Sequence, residues 1–251
     1  MIYGRKPIMS AELERRVMNA VVMYQQRQKW HQWGLANLRK QGAAILLTGP
    51  PGTGKTVIAE YLAIRIRRKG IKEISFADFG SHIPGENSRQ IRLLFEDADH
   101  NGQMTIFFDE CDAILWDRGR ATGDSMWMLE VINELLVQIA KYRGLVILAS
   151  NNAGVLDKAL ERRLLAIIEV PVPEHPERVK LWQTKMPDQY PIRLTEQEVN
   201  KIATLQLTGA DIENIIINVS SDALRQKKIP TFKMLLDETN DVSHKRTVTT
   251  T

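Results

Sequence analysis

A glycine-rich stretch near residue 50 carries the residue types that cradle a phosphate. From Gly49 to Thr56 it has two glycines separated by four residues and followed by Lys and Thr. Glycines let backbone N–H groups turn toward phosphate oxygens, Lys55 can reach the β- and γ-phosphates, and the Thr56 hydroxyl can ligate Mg²⁺. The stretch therefore predicts a site for ATP and Mg²⁺, whose residues are Gly49, Pro50, Pro51, Gly52, Thr53, Gly54, Lys55, Thr56 and Val57.

Two carboxylates stand at the end of a second apolar run, Met104 to Phe108. A continuous apolar run is typical of a strand buried on both faces, and the carboxyl ends of such strands are where open α/β sheets bind ligands. We expect Asp109 to lie on the Mg²⁺ side and Glu110 to orient and polarise an attacking water. The alternative, a solvated strand end, loses weight because the phosphate-binding loop lies upstream.

The elements that must position these residues alternate along the chain. Short apolar runs predict strands at residues 43–48, 73–79, 104–108, 144–152 and 164–170, and helical patterns separate them. This alternation predicts a parallel sheet covered on both faces. After Pro173 only helical patterns follow, and the last is a short one through Leu236 that leads into a polar end.

The chain begins with an amphipathic pattern. Apolar side chains at helical spacing, followed by two tryptophans that we expect to pack the segment onto the core, are Leu13, Val17, Val21, Tyr24, Trp30 and Trp33. No apolar stretch follows the first residues and no run is long enough to span a membrane, so we expect neither a secretory signal nor a membrane partner.

Composition and charge favour an ordinary soluble protein. The chain has 251 residues, 43% of them hydrophobic, and a net charge of +4. Cys111 is the single cysteine; a buried side chain is favoured over a reactive thiol, and a reducing, cytoplasmic location is expected. The basic run at residues 65–69 is interpreted as a helix end rather than a nucleic-acid patch.

Five motifs in order resemble those of the AAA ATPases within the AAA+ superfamily, in the group that includes katanin-like and proteasomal ATPases. The resemblance covers residues 30–226. It rests on a Walker A motif, a Walker B motif with its continuation, a sensor 1 pair, an arginine-finger segment and a lid signature, found at Gly49–Thr56, Phe107–Arg118, Ser150–Asn151, Leu156–Arg163 and Thr208–Asp211.

The resemblance implies a fold and several roles. The fold is that of a P-loop NTPase, α/β with a five-stranded parallel sheet in the order 5-1-4-3-2, followed by a small helical lid. Asn151 would hydrogen-bond the γ-phosphate or the attacking water, and Gly209 and Ala210 would lie near adenine. Arg162 and Arg163 would enter the neighbouring subunit's site; the alternative is a solvated helix end.

The resemblance also implies an organisation and a partner. We expect an N-terminal helical extension at residues 1–41, the ATPase domain at 42–172, the lid at 173–239 and a polar tail at 240–251. The subunits would form a closed homo-oligomeric ring of about six and act on a protein substrate or adaptor. Ile83 occupies the position of the pore-loop aromatic, where it would line the pore or instead pack inward against its own domain.

Two functions stay open at this point. The first is an ATP-driven remodeller of protein complexes or polypeptides. The alternative is an ATP-switched nucleic-acid factor such as a helicase loader or replication accessory. Gly209 and Ala210 occupy a place where loader groups carry an arginine, which favours the remodeller. A non-hydrolysing scaffold is disfavoured because Lys55 and Glu110 are both present.

Overall fold

Five parallel strands form the sheet at the centre of the larger part of the chain. The computed structural model describes residues 6–34, 44–66, 70–75, 78–79, 83, 85–102, 104–112, 126–151 and 158–249. The strands are β1 Ala44–Thr48, β2 Ile71–Ser75, β3 Thr105–Asp109, β4 Val146–Ser150 and β5 Leu164–Glu169. They lie in the order β2-β3-β4-β1-β5, all pairs parallel. The predicted order 5-1-4-3-2 is this order counted from the other edge, so the prediction is confirmed.

Burial explains which strands lie in the middle. Every residue of β1 and β4 is buried, whereas the edge strand β2 has none that is fully buried. The central strands are the near-continuous apolar runs that a parallel sheet needs when both of its faces are covered. In the register, Thr48 of β1 pairs with Ser150 of β4 and with Glu169 of β5, so these strands end together. The polar residues that follow them are therefore collected at one edge of the sheet.

Six helices belong to the sheet-containing part: α1 Ala11–Gln25, α2 Arg27–Gln32, α3 Lys55–Arg65, α4 Glu86–His100, α5 Met126–Lys141 and α6 Lys158–Glu161. The predicted apolar stripe of α1 is confirmed, because its four predicted residues are all buried. Helices α4 and α5 both contribute to one hydrophobic core, in which Phe95 packs against the aromatic rings of Phe108 and Tyr142.

The packing prediction for the tryptophans is wrong for Trp33, whose side chain is 68% exposed. A break at Gln26 separates α1 from α2, and Trp33 follows the end of α2, so the phase of the apolar stripe is not continued. The side chain of Trp30 lies outside the described residues.

The second strand begins earlier than the sequence predicts. It runs from Ile71 to Ser75 and not from residue 73 to 79. Pairing with β3 sets these bounds, since Ile71 lies opposite Thr105 and Ser75 opposite Asp109. The backbone N–H of Ser75, the last residue of the strand, donates to a carboxylate oxygen of Asp78 over 3.1 Å.

The chain divides into two compact units. The sheet unit comprises residues Met1–Pro7, Glu12–Gly49 and Lys55–Val170, and the lid unit comprises Ile8–Ala11, Pro50–Gly54 and Pro171–Thr251. The lid unit contains α7 His175–Lys185, α8 Glu196–Ile202, α9 Gly209–Arg225 and α10 Phe232–Thr249. These helices share a separate core around Trp182, which is fully buried.

Side-chain caps fix where the lid helices begin. Thr195 and Glu198 form a capping box at the start of α8: the Thr195 hydroxyl accepts from the Glu198 backbone N–H, and the Glu198 side chain accepts from the Thr195 backbone N–H. Thr208 and Asp211 form the same reciprocal pair at the start of α9. Each pair satisfies two N–H groups that the first helical turn cannot bond internally.

The last helix is longer than predicted. Instead of ending near Leu236, α10 continues to Thr249 through a stretch expected to be a frayed polar tail. Two contacts explain the extension. The buried Thr239 hydroxyl donates to the Leu235 carbonyl, and Val242 packs against the lid core. Among the described helices, none is both long enough and apolar enough to cross a membrane.

Candidate functional site

The glycine loop connects β1 to α3, which is the context that a phosphate-binding loop requires. Gly49, Gly52 and Gly54 have φ angles of 144°, 77° and 93°, a region that side chains with a Cβ rarely adopt. The Thr53 hydroxyl closes the turn by donating to the Pro50 carbonyl over 2.9 Å. The backbone is therefore already turned in the way that the glycine spacing predicts.

Close contacts explain why two of these positions hold glycine. A Cβ on Gly49 would lie 2.1 Å from the Val170 carbonyl oxygen. Within the lid unit, a Cβ on Gly52 would lie 2.7 Å from the Thr208 hydroxyl and 2.8 Å from the Ala210 Cβ. Such distances are well inside van der Waals contact, so any larger residue would displace the loop.

Lys55 is the first residue of α3 and points into the sheet unit, with only 7% of its surface exposed. Its Nζ donates to the Gly49 carbonyl over 2.8 Å and to Oδ1 of Asn151 over 2.7 Å. Burial lowers the pKa of Lys55, and the negative charges of Asp109 and Asp112 oppose that shift. The ammonium group is thus held in place beside the loop by the residue predicted to sense the γ-phosphate.

A carboxylate from the turn after β3 holds the end of β4. Oδ1 of Asp112 accepts from the Ser150 hydroxyl over 2.6 Å and from the Asn151 backbone N–H over 3.0 Å. These bonds fix the backbone that carries Asn151, whose side chain contacts Lys55. Sequence reasoning quoted Asp112 but gave it no role. The sequence feature that could have indicated its role is its spacing. Asp112 follows Asp109 by three residues in a helical turn, which returns its side chain to the same edge of the sheet.

Thr56 and Asp109 are brought together as predicted. The Thr56 hydroxyl lies 3.4 Å from Oδ2 of Asp109, so a hydroxyl and a carboxylate face each other beside the loop. Among the described residues, no group of three or more acidic, histidine or cysteine side chains could hold a metal. A hydroxyl beside one carboxylate oxygen suits Mg²⁺, which proteins usually bind through one or two carboxylates together with substrate phosphates.

Glu110 is exposed and has a left-handed backbone, with φ of 55°. Its N–H donates to Oδ1 of Asp109 over 2.8 Å. Left-handed backbone costs free energy in a residue with a Cβ, and such strain is concentrated at functional sites. The next residue, Cys111, is fully buried, as predicted, and its thiol donates to the Phe108 carbonyl.

The lid signature contacts the glycine loop within the lid unit. The Ala210 backbone N–H donates to the Gly52 carbonyl over 3.3 Å, and Gly209 lies beside the same carbonyl. The N–H groups of a first helical turn have no partner inside the helix, so the loop satisfies one of them. Val57, the last predicted loop residue, is 49% exposed on α3.

The two adjacent arginines have different surroundings. Arg162 is exposed at the end of α6. Arg163 is half-buried, and its Nη1 donates to the Ala159 carbonyl over 2.6 Å. The Arg163 Nε is buried without a hydrogen-bond partner in the described part of the chain. The spacing of the sequence could not separate these two environments.

Ile83 is exposed, with 65% of its surface accessible. Its backbone carbonyl accepts from the Glu86 N–H at the start of α4. The alternative that Ile83 packs inward is therefore wrong for this chain alone. Several residues of the predicted motifs lie outside the described part of the chain, namely 80–82, 84, 113–118, 156 and 157.

Comparisons with known proteins identify the family of the chain. The profile of the family described as "ATPase family associated with various cellular activities (AAA)" matches residues 45–172. The vesicle-fusing ATPase of Dictyostelium discoideum is 32% identical over 204 residues, which are 73% of this chain and 27% of that protein. Katanin p60 ATPase-containing subunit A1 of Strongylocentrotus purpuratus is 31% identical over 76% of this chain and 39% of its own length.

A third relative and one solved structure are also similar to this chain. The proteasome-activating nucleotidase of Saccharolobus islandicus is 31% identical over 80% of this chain and 53% of its own length. The chain thus spans about a quarter to a half of the curated relatives that it matches. The crystal structure of the FIGL-1 AAA domain in complex with ADP aligns with a TM-score of 0.72 at 22% identity, covering 92% of this chain and 81% of that one. This likeness concerns the fold.

Proposed function

Because the chain belongs to the AAA ATPase family, which implies ATP binding and hydrolysis, we propose that it is a Mg²⁺-dependent ATPase that works in a ring to remodel protein complexes or polypeptides. One observation carries this proposal. Lys55 contacts Asn151, Thr56 faces Asp109, and Glu110 follows at the end of the same strand. A cation and a metal-side carboxylate therefore lie together, and a candidate base is the next residue along the chain, a combination that a non-hydrolysing scaffold does not need.

ATP would be held mainly by the loop backbone. The N–H groups from Gly52 to Thr56 surround the phosphates, and the Lys55 ammonium neutralises the β- and γ-phosphate charge. The N-terminal end of α3 adds a favourable dipole for an anion. Gly209 and Ala210 lie beside the adenine end of the nucleotide, and Val57 continues the loop into α3. Their contacts with Gly52 in the lid unit support a position next to the nucleotide, and the adenine end is the part that the family resemblance implies.

Thr56 and Asp109 would hold Mg²⁺, since a hydroxyl and a carboxylate oxygen are ligands that this ion accepts. When bound, the ion supplies positive charge to the phosphate oxygens. The chain's own contribution is to fix both oxygens. Thr56 is anchored in the first turn of α3, and the β3 backbone positions Asp109.

Hydrolysis would use Glu110 and Asn151. Glu110 accepts a proton from the attacking water, which requires an ionised, accessible carboxylate at the strand end. Asn151 donates its amide N–H to the γ-phosphate or to that water. Its Oδ1 already accepts from Lys55, so the amide is oriented with its NH₂ group available in another direction.

Assembly would complete the site. Arg162 and Arg163 approach the γ-phosphate bound by a neighbouring copy, where an arginine supplied in trans stabilises transition-state charge. Head-to-tail interfaces of this kind close into a ring when the rotation allows, here about six subunits. The exposed position of Arg162 supports this role. The domain bounds 1–41, 42–172 and 173–239 and a cytoplasmic location belong to the same proposal, whereas the tail expected at 240–251 is replaced by the continuation of α10 to Thr249.

ATPase assays across a range of protein concentrations test the function. We expect hydrolysis only with Mg²⁺, full inhibition by EDTA, and a specific activity that rises steeply as subunits associate. Single- and double-stranded DNA are added in parallel at two salt concentrations. Stimulation by DNA that weakens with salt would replace the remodeller with the nucleic-acid factor. Absence of hydrolysis at every concentration would contradict the proposal.

We place Ile83 on the polypeptide-binding loop of that ring, since a large apolar side chain is left exposed immediately before α4. Casein, an unfolded polypeptide, is used to stimulate hydrolysis. For Ile83→Ala, the casein concentration at half-maximal stimulation should be about tenfold higher than for wild type, because burying an isoleucine contributes roughly 1.5–3 kcal/mol. The ratio of stimulated to basal rate is measured. Leu93→Ala on α4, also exposed at 52%, is the control. Equal responses of the two variants would remove this role.

A further inference from the structure

The end of the C-terminal helix α10 contacts the start of α9. Nε of Arg246 lies 3.0 Å from Oδ2 of Asp211, and its Nη2 donates to the Thr208 hydroxyl over 3.3 Å. Asp211 retains only 16% side-chain exposure and Arg246 retains 33%. The guanidinium therefore bridges both members of the capping box, thirty-five residues beyond the carboxylate it contacts.

The same capping box contacts the glycine loop on its other side. The Thr208 hydroxyl sits where a Cβ on Gly52 would meet it at 2.7 Å, and the Ala210 N–H donates to the Gly52 carbonyl. Thr208 is fully buried. Arg246 is thus separated from the loop backbone by a single side chain, and all of these residues lie in the lid unit.

The cap at the start of α9 has internal hydrogen bonds and a separate contact with Arg246. Thr208 accepts from the Asp211 N–H and donates to the Asp211 carboxylate, whose Oδ2 also accepts from the Thr208 N–H. Oδ2 of Asp211 therefore has three contacts, of which the one with Arg246 is charged. The two arms of the guanidinium suit a bridge between this oxygen and the Thr208 hydroxyl. Without Arg246, the cap keeps its internal bonds but loses the contact that fixes it against α10.

We infer that Arg246 is a positioning residue for nucleotide binding, which holds the Thr208–Ala210 backbone against Gly52. The inference rests on the proposed function of the glycine loop. If Arg246 strengthens nucleotide binding, then bound nucleotide must, by thermodynamic linkage, strengthen the contact of α10 with the start of α9. The last turns of α10 would therefore respond to nucleotide. The substrate groups involved are those of an adenine nucleotide, ADP included.

Titration of the full chain with a fluorescent ADP analogue and Mg²⁺ tests the inference. Arg246→Ala should weaken binding by about fivefold to tenfold, the range for losing a charged hydrogen-bonded contact that is partly buried. The affinity of Arg246→Lys for ADP should lie between those of wild type and Arg246→Ala, because an ammonium cannot bridge both acceptors in the same way. Arg225→Ala is the matched control: its exposed ion pair with Asp222 lies at the other end of α9.

Amide hydrogen exchange separates this role from simple stabilisation of the lid. In wild type, ADP should slow exchange across residues 240–249, and this protection should be lost in Arg246→Ala. Should the alanine variant unfold at the assay temperature, the lysine variant carries both comparisons. The inference is overturned if the Arg246 variants bind ADP like Arg225→Ala, or if ADP protects α10 equally in all of them. Wild-type protein that binds no ADP would overturn the proposed function as well.

Discussion

Glu110→Gln should bind ATP normally and hydrolyse it about a hundred to ten thousand times more slowly than wild type, the range associated with losing a general base. The substitution keeps the size of the side chain and one acceptor oxygen but removes its ability to take a proton from water. Single-turnover hydrolysis and equilibrium ATP binding are measured on the same preparation. Binding should be unchanged, since the hydrogen bonds that position Lys55 and Thr56 go to Gly49, Asn151 and Asp109.

A second glutamate supplies the control for this prediction. Glu169 is also exposed and also ends a strand, β5, which lies at the edge of the sheet. Glu169→Gln should hydrolyse ATP at the wild-type rate. If Glu110→Gln turned over like wild type, or if both variants lost activity equally, then Glu110 would not be the base.

Backbone strain gives the Glu110 prediction a second measurement. Its φ of 55° is accessible to glycine without a steric cost. Glu110→Gly should therefore raise the free energy of unfolding, by about 1 kcal/mol, while losing hydrolysis. A gain in stability together with a loss of activity would show that the strain is retained for the position of the carboxylate. A destabilised glycine variant would contradict that interpretation.

The parts of the site that could be predicted are those with local physical causes. The glycine spacing around Lys55 fixes a turn and a following helix, and the apolar run before Asp109 fixes a buried strand. Parallel pairing then requires both to meet at one edge of the sheet. The strand order was predicted from the resemblance to a family and not from the residues alone, because no local pattern determines which strands become neighbours.

What escaped prediction depends on contacts between distant residues. Arg246 reaches Asp211 only because α10 continues well past Leu236, and its length is set by packing of residues such as Val242 and not by a helix signal in a polar segment. Trp33 was expected to be buried from its residue type alone, yet the break before α2 leaves it exposed. Tertiary context overrode the local signal in both cases.

The arginines after α6 show the same limit in a way that bears on mechanism. Two adjacent arginines look equivalent in a sequence, yet Arg163 is tied to the Ala159 carbonyl of its own chain while Arg162 is exposed. The bond from Nη1 of Arg163 to its own chain restricts how far that guanidinium can extend, whereas exposed Arg162 has more freedom to reach another subunit. We therefore expect Arg162 to supply most of the charge in trans, and Arg163→Ala to lower stability in addition to any effect on rate.

Arg162→Ala should reduce hydrolysis by about a thousandfold or more, the contribution of trans arginines in other NTPases, without weakening ATP binding. Lys55→Ala should also be inactive, for the separate reason that it lacks the ammonium at its own loop. When the two variants are mixed and allowed to exchange subunits, an interface is intact wherever the loop of an Arg162→Ala chain meets the arginine of a Lys55→Ala chain.

Random exchange at equal concentrations places these partners in the productive order at about a quarter of head-to-tail interfaces, so the mixture should regain up to about a quarter of wild-type activity. Lys158→Ala, which removes an exposed cation from the same short helix, is the control and should be active by itself. Activity is followed against total protein concentration, because the gain requires association. A mixture that stays inactive while wild type shows the same specific activity at every concentration would mean that each chain hydrolyses ATP alone and that Arg162 acts in no neighbouring site.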